Sequence, residues 1–152
     1  FANEIFPIIL KKYPDIKWHV VGNKPTEEIK NLASDNIIVE GFVSDEKLEQ
    51  LYNSCRMAVV PLRVGAGVKG KIVEASYYQV PVVTTDVGAE GISSEEKALI
   101  VENDACKMAE VICSLYEDYD MLAEYAARER KLIEKHYLLK NAMDVLEKDM
   151  DK

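Results

Sequence analysis

The sequence predicts an α/β fold in which helices cover both faces of a mostly parallel sheet, a three-layer α/β/α arrangement. Short runs that are apolar at almost every position alternate with longer segments whose apolar residues recur at helical spacing. Strands buried on both faces have such continuous apolar runs, whereas strands with one solvated face alternate. The length of 152 residues suits one domain of this kind.

The first 61 residues predict three helices, each followed by a strand. The helices are 2–13, 26–34 and 45–55, and the strands are 16–21, 37–40 and 57–61. Pro25 stands at the entry of the second helix, where its fixed φ suits the first turn. Ser44 can cap the third helix, because its hydroxyl can accept one of the N–H groups that a helix start leaves unpaired.

The remainder predicts a helix over 68–79, a strand over 80–84, a loop over 86–94, a short strand over 98–101 and helices over 104–116, 121–136 and 139–148. Asp104 is placed to start the first of these last helices. The three cysteines show no metal-like spacing. Cys106 and Cys113 are seven residues apart, so we expect both to pack inward as reduced thiols.

A glycine-rich loop between the third strand and the next helix is the strongest candidate for a binding site. Gly65 and Gly67 allow close approach of the main chain, and the helix start offers N–H groups to an anion. Lys69 and Lys71 stand where the helix dipole disfavours cations, and such a local violation often marks function. Glu74 could accept hydrogen bonds from ribose hydroxyls. The loop therefore predicts a nucleoside-diphosphate site, although a tight turn and solvated side chains would also explain these residues.

Five short motifs occur in a fixed order along residues 1–150. They are Gly41-Phe-Val43, 59–63 leading into Gly65-Ala-Gly-Val-Lys69, Lys71-Ile-Val-Glu-Ala75, Pro81-Val-Val-Thr-Thr85 and Gly88-Ala-Glu-Gly91. A lone Gly-x-Gly is weak evidence, but the ordered combination is specific. It closely resembles the donor-binding half of GT-B glycosyltransferases, in particular family 4, the glycosyl transferases group 1 family.

The resemblance implies that residues 1–152 form the C-terminal, nucleotide-sugar-binding domain of a longer protein, without its N-terminal acceptor domain. It also implies a Rossmann-like sheet that lacks its usual first strand, which is central in the 3-2-1-4-5-6 strand order. Without that strand, backbone groups of two neighbouring strands would lose their partners. We therefore expect rearranged strand pairing, a strand borrowed from a partner chain in a strand-exchanged dimer, or marginal stability.

By the same resemblance, the intact protein would transfer a sugar from a nucleotide sugar to a glycan, lipid-linked or small-molecule acceptor, as a retaining hexosyltransferase. The donor-binding residues would be Glu74, Lys69, Gly67, Gly65, Val68, Lys71, Arg63 and Val43, the last through its main chain near the nucleobase. Catalytic residues are expected in the N-terminal domain, so none is assigned and the fragment alone should be inactive. Neither a metal nor a cofactor is expected, since cations and helix N-termini offset the diphosphate charge in GT-B enzymes.

Two departures from the family pattern keep other functions open. Many members carry two glutamates eight positions apart; Glu74 matches the second, but Ala66 stands at the first, so no acid there can contact the sugar. The pair Tyr77-Tyr78 replaces small residues. Two alternatives remain open. One is a degenerate interaction domain without activity, and the other is a GT-B-like nucleotide-sugar epimerase of the non-hydrolysing kind.

Composition excludes two further classes of function. The formal net charge of −8 argues against nucleic-acid binding, which needs a basic surface. No apolar run approaches the roughly 18 residues that a membrane span requires. A cytoplasmic location is expected, with peripheral membrane attachment through the missing domain left open.

Overall fold

Strands and helices alternate along the chain in the computed structural model, which describes residues 1–92 and 98–137. The helices are α1 (Phe6–Lys12), α2 (Glu27–Lys30), α3 (Asp45–Ser54), α4 (Gly70–Tyr77), α5 (Asp86–Ala89), α6 (Ala105–Leu115) and α7 (Tyr119–His136). The strands are β1 (Trp18–Val21), β2 (Ile37–Gly41), β3 (Ala58–Val60), β4 (Val82–Thr84) and β5 (Ile100–Val101).

The strands form two parallel sheets, β1–β2 and β3–β4–β5. Burial differs between them: all three residues of β4 are fully buried, whereas those of β1 and β2 are half-buried or exposed. A strand with neighbours on both sides and helices on both faces is shielded from water, which accounts for β4. The half-buried strands therefore mark the part of the sheet that is less covered.

Two apolar clusters cover opposite faces of the three-stranded sheet. Val83 packs in one cluster with α1 and α6, through residues such as Ile9 and Met108. Its neighbour Val82 packs in the other cluster with Ile72 of α4 and Leu132 of α7. Successive strand residues point to opposite faces, so this alternation confirms the three-layer α/β/α arrangement.

A buried carboxyl group connects the helices α4 and α7 to the strand β4. Glu129 of α7 is fully buried; it accepts hydrogen bonds from the Ser76 hydroxyl of α4 (2.9 Å) and from the Val82 amide of β4 (2.8 Å). Burial raises the pKa of Glu129 to about 8, while both hydrogen bonds favour the carboxylate and oppose this rise.

The predicted fold class is confirmed. Among the described residues, no strand joins the sheet β1–β2 to the sheet β3–β4–β5, which agrees with the expected lack of the usual first strand. The expectation of rearranged pairing is wrong, because β1 keeps β2 and β3 keeps β4 as neighbours. The strand-exchanged dimer and marginal stability stay predictions. The helix expected over 139–148 lies outside the described residues, and so does part of the loop expected over 86–94.

Two local expectations are also wrong. A short helix, α5, replaces the start of the expected loop; the Thr85 hydroxyl caps it by accepting the Gly88 amide (3.2 Å), and four residues are too few to show helical periodicity. Cys113 is buried but Cys106 is exposed, since it lies in the first turn of α6, ahead of the stretch that the core covers. Within the described ranges, no helix combines the length and the apolar character that crossing a membrane requires.

Candidate functional site

The loop between β3 and α4 takes a conformation that its glycines make accessible. Gly65 and Gly67 have φ angles of +144° and +70°, a region that residues with a Cβ rarely enter. Ala66 and Val68, beside them, are exposed. The loop thus turns sharply at the carboxyl end of β3, where ligands bind in open α/β sheets.

Lys69 is the residue around which this loop folds. Its side chain is only 8% exposed, and its Nζ donates a hydrogen bond to the Gly67 carbonyl and lies 3.5 Å from Glu90 Oε2. A Cβ on Gly65 would lie 3.4 Å from Lys69 Cε, so the loop backbone packs directly against the lysine side chain. The structure therefore holds a nearly buried cation beside a half-exposed carboxylate.

The end of β4 and the segment after it form the second wall of this site. Gly91, at φ +78°, approaches so closely that a Cβ there would lie 3.1 Å from the Val68 nitrogen. Gly88 has even less room, because its Cβ would be 1.9 Å from the Thr84 hydroxyl oxygen. That hydroxyl donates to the Val60 carbonyl (2.7 Å) and so fastens the end of β4 to the end of β3.

The start of α4 presents backbone donors at the same place. The amides of Ile72 and Val73 both donate to the Lys69 carbonyl (2.9 and 3.3 Å). The preceding amides, of Gly70 and Lys71, come too early in the helix to have an acceptor within it. Unpaired N–H groups and the positive end of the helix dipole attract anions. Lys71 is exposed and adds a cation to this helix start.

Glu74 lies one turn further along α4 and is held by a tyrosine of α3. Tyr52 Oη donates to Glu74 Oε2 at 3.0 Å, and the Tyr52 ring stacks on that of Tyr78 at 5.0 Å between centroids. Burial and the neighbouring carboxylate both raise the pKa of Tyr52. Tyr52 therefore stays protonated and able to donate near neutral pH.

The structure brings some of the residues predicted to bind the donor together and leaves others apart. Gly65, Gly67, Val68 and Lys69 meet in the loop that Gly91 contacts, and Lys71 and Glu74 follow on α4. Arg63 extends elsewhere, to Glu4 Oε2 at 2.5 Å, and 75% of its side chain is exposed. Val43 lies half-buried in the connection between β2 and α3, which follows a strand of the other sheet.

Sequence reasoning assigned no role to Glu90, Thr84 or Tyr52, all of which contact this site. Glu90 and its glycine neighbours form a motif after β4, and its position at the end of a strand is the signal that the sequence offers. Tyr52 gave none, because 22 residues separate it from its partner Glu74. Contacts between two helices of different strand–helix units cannot be seen in local spacing.

Comparison with known proteins gives consistent matches. The family model described as glycosyl transferases group 1 matches residues 1–118. A curated relative from Klebsiella pneumoniae, an uncharacterized 44.6 kDa protein in the cps region, is 29% identical over an alignment of 145 positions that covers 90% of this chain and 37% of that protein. The crystal structure of TarM superposes with a TM-score of 0.78 at 20% identity, over 97% of this chain and 30% of that one. The chain thus spans about a third of these proteins.

Proposed function

This chain belongs to the glycosyl transferases group 1 family, and we propose that it binds the nucleoside-diphosphate part of a nucleotide sugar. The site is the β3–α4 loop, with the start of α4 and the segment after β4. The intact protein is then a sugar transferase, of which this chain is the C-terminal, donor-binding domain.

The nearly buried Lys69 carries this proposal. Burying a cation costs free energy unless an anion and hydrogen bonds compensate it. Here Glu90 is the nearby anion, at 3.5 Å and half-exposed. A diphosphate would bring more negative charge to the same ammonium and could also accept hydrogen bonds from the Gly70 and Lys71 amides. Charge balance at the loop is therefore best satisfied by a phosphate ligand.

The other residues proposed to bind the donor contact parts of it away from Lys69. Glu74 supplies a carboxylate at a fixed position, which suits bidentate contact with the two ribose hydroxyls. The Val43 main chain is assigned to the nucleobase and Val68 to the loop wall. Arg63 must leave Glu4 to reach a phosphate, which costs little, because exposed ion pairs contribute at most about 1 kcal/mol.

The chemistry of the intact protein is assigned more broadly. We propose hexosyl transfer with retention to a glycan, a lipid-linked acceptor or a small molecule. The acceptor and the catalytic groups would be supplied by polypeptide outside this chain. No metal is needed in this scheme, since Lys69, Lys71 and the helix start would offset the diphosphate charge.

Titration with UDP, GDP and ADP, followed by amide NMR of the isotope-labelled chain, tests the site. We expect shifts concentrated at Val43, at residues 65–71 and at Glu74, for one base above the others. A well-dispersed spectrum in which no nucleotide shifts these amides, repeated with the intact protein, would contradict the proposal and favour a degenerate domain that binds protein partners.

A charge-deleting pair of variants makes the test specific. Lys69→Met should weaken diphosphate binding about 10-fold or more, because a charge-assisted hydrogen bond contributes roughly 1.5–3 kcal/mol. Lys131→Met, on the exposed side of α7, is the matched control and should leave the dissociation constant unchanged. Equal effects of both variants, measured by calorimetry at constant salt, would argue for diffuse electrostatic attraction and against a built site.

A further inference from the structure

Lys69 and Glu90 form an ion pair whose two members are held very differently. The Lys69 side chain is 8% exposed and that of Glu90 is 54% exposed. Lys69 Nζ donates to the Gly67 carbonyl, and a Cβ on Gly65 would lie only 3.4 Å from Lys69 Cε. The ammonium is therefore fixed inside the loop, whereas the carboxylate lies at the surface, where it can turn toward water.

The contact between the two side chains is long for an ion pair with a nearly buried member. Lys69 Nζ and Glu90 Oε2 are 3.5 Å apart, whereas a charge-assisted hydrogen bond measures about 2.7–2.9 Å. Within residues 1–92 and 98–137, the hydrogen bond of Lys69 Nζ goes to the Gly67 carbonyl. An ammonium has more N–H donors than this bond uses. The remaining donors are available to an anion that comes closer than Glu90.

The backbone on both sides of Glu90 is fastened to the fold, which confines a movement to its side chain. Ahead of Glu90, the Thr85 hydroxyl caps α5. After it, Gly91 packs closely on the β3–α4 loop, and its carbonyl accepts a hydrogen bond from the Tyr137 hydroxyl at 2.8 Å. Rotation of the carboxylate away from Lys69 therefore requires no rearrangement of the chain.

We propose that Glu90 is an internal counter-ion of Lys69, and that a bound diphosphate displaces its carboxylate. This exchange rests on the proposed function of the loop, since it takes a phosphate group as the incoming anion. A phosphate has several acceptor oxygens, so it can bind the remaining donors of Lys69 and the unpaired amides at the start of α4 together. A single carboxylate at 3.5 Å from Nζ provides less.

Charge repulsion also favours the displacement. A carboxylate that stayed beside Lys69 would face the incoming phosphate across one cation, and like charges at so short a distance repel each other. More than half of the Glu90 side chain already contacts water, so its outward rotation exposes a group that is largely hydrated. The Lys69 side chain has no such alternative, because the loop encloses it.

The exchange gives Glu90 opposite effects on the loop and on the ligand. Without a ligand, its carboxylate offsets the charge of a nearly buried cation and stabilises the loop. A ligand that has to break this contact binds more weakly by the free energy of the contact. A residue that only positioned Lys69 would do the reverse, because its removal would weaken binding. The sign of the change in affinity therefore distinguishes the two roles.

Calorimetric titration at constant ionic strength tests the exchange, with UDP, GDP, ADP and inorganic pyrophosphate as ligands. Glu90→Gln should bind pyrophosphate and the preferred nucleotide about 5-fold more tightly than the wild-type chain, because the competing charge is gone. Glu110→Gln, exposed on α6, removes the same charge elsewhere and should leave both dissociation constants unchanged. Equal or weaker binding by Glu90→Gln would overturn the exchange.

A background without Lys69 separates displacement from simple repulsion. In Lys69→Met, the further change Glu90→Gln should bring almost no gain in affinity, because Glu90 then holds no cation that the ligand needs. The same gain in both backgrounds would overturn the exchange, since Glu90 would repel the ligand without leaving Lys69.

Urea unfolding gives a second readout that needs no Lys69 variant. Glu90→Gln should be less stable than the wild-type chain without ligand, and pyrophosphate should stabilise it more than it stabilises the wild type. Equal stabilisation of the two chains would contradict the exchange.

The pyrophosphate arm distinguishes failure of the exchange from failure of the proposed function. Tighter binding of pyrophosphate by Glu90→Gln, with no nucleotide binding better than pyrophosphate, would support the exchange and contradict nucleotide recognition. A nucleotide that binds the wild-type chain and Glu90→Gln equally would contradict the exchange alone. Binding of neither ligand to either chain would overturn both.

Discussion

Glu74 and Tyr52 form the contact in the candidate site whose role can be tested most directly. If Glu74 contacts the ribose, its contribution depends on the sugar hydroxyls and not on the base or the phosphates. Tyr52 acts through Glu74, since it donates to the carboxylate and holds it beside α3. The two residues should therefore affect one property of the ligand, the presence of its 2′- and 3′-hydroxyls.

We expect the wild-type chain to bind its preferred nucleoside diphosphate more tightly than the 2′,3′-dideoxy analogue. Glu74→Gln should abolish most of this preference, because hydrogen bonds to a charged acceptor contribute about 1.5–3 kcal/mol. Tyr52→Phe should reduce the preference a few-fold, and Tyr78→Phe, which keeps the ring stack, should not change it. Calorimetric titrations with the two ligands measure the ratio; an unchanged ratio in Glu74→Gln would show that Glu74 is only a surface residue.

How far sequence could predict the site depends on how local its contacts are. Gly65, Gly67 and Lys69 lie within five positions, and their residue types were enough to predict a glycine-rich turn followed by a cation at the helix start. The partner Glu90 lies 21 positions after Lys69, beyond a helix and a strand. Its position depends on how closely Gly88 approaches Thr84 and Gly91 approaches the loop, which a residue pattern does not express.

At the scale of elements, the buried Glu129 fixes a helix to the sheet and to a second helix. Its carboxyl group joins α7 to α4 and to the first residue of β4. Its pKa of about 8 lies above the ordinary value of 4.5, so the folded protein binds this proton more tightly than the unfolded chain does. The associated stabilisation is complete below about pH 4.5 and is lost as pH rises through about 8.

Unfolding in urea from pH 5 to pH 9 should therefore show stability falling with pH, by at most about 1.4 kcal/mol per unit from this group. Glu129→Gln should remove most of that slope, since the neutral amide keeps the shape and has no proton to lose. The variant should exceed the wild type in stability at pH 9. Glu110→Gln, on the exposed side of α6, should keep the wild-type slope; an unchanged slope in Glu129→Gln would place the pH dependence elsewhere.

The sequence predicted which segments are helices and strands better than it predicted where those segments end. Apolar runs and caps located the strands and longer helices correctly, and Ser44 does cap α3, accepting from the Lys47 amide at 3.3 Å. The expected strand 98–101 shrinks to Ile100–Val101, because pairing with β4 decides where a strand begins. The short helix α5 is capped by the Thr85 hydroxyl, and its four residues are too few to show a helical repeat of apolar positions.

At the scale of the whole molecule, exposed apolar side chains concentrate at the carboxyl edge of the strands. Val21, Phe42 and Val101 stand at or just after strand ends, and Val64 and Val68 lie in the β3–α4 loop. Scattered exposed apolar residues are ordinary. Of the eight large exposed apolar side chains within residues 1–92 and 98–137, these five lie on this edge, beside the proposed nucleotide site.

The division into two sheets has a consequence for cooperativity. No main-chain ladder joins β1–β2 to β3–β4–β5 within the described ranges, so contacts that involve side chains couple the two sheets. Parts of a protein that share few contacts can unfold separately.

Trp18, the single tryptophan, reports on the β1–β2 half. Its fluorescence should lose intensity at a lower temperature than the helical circular dichroism, and the calorimetric enthalpy of unfolding should exceed the van't Hoff value. Separate midpoints would show that the two sheets are two folding units, whereas a single midpoint would show that side-chain contacts are enough to make them one.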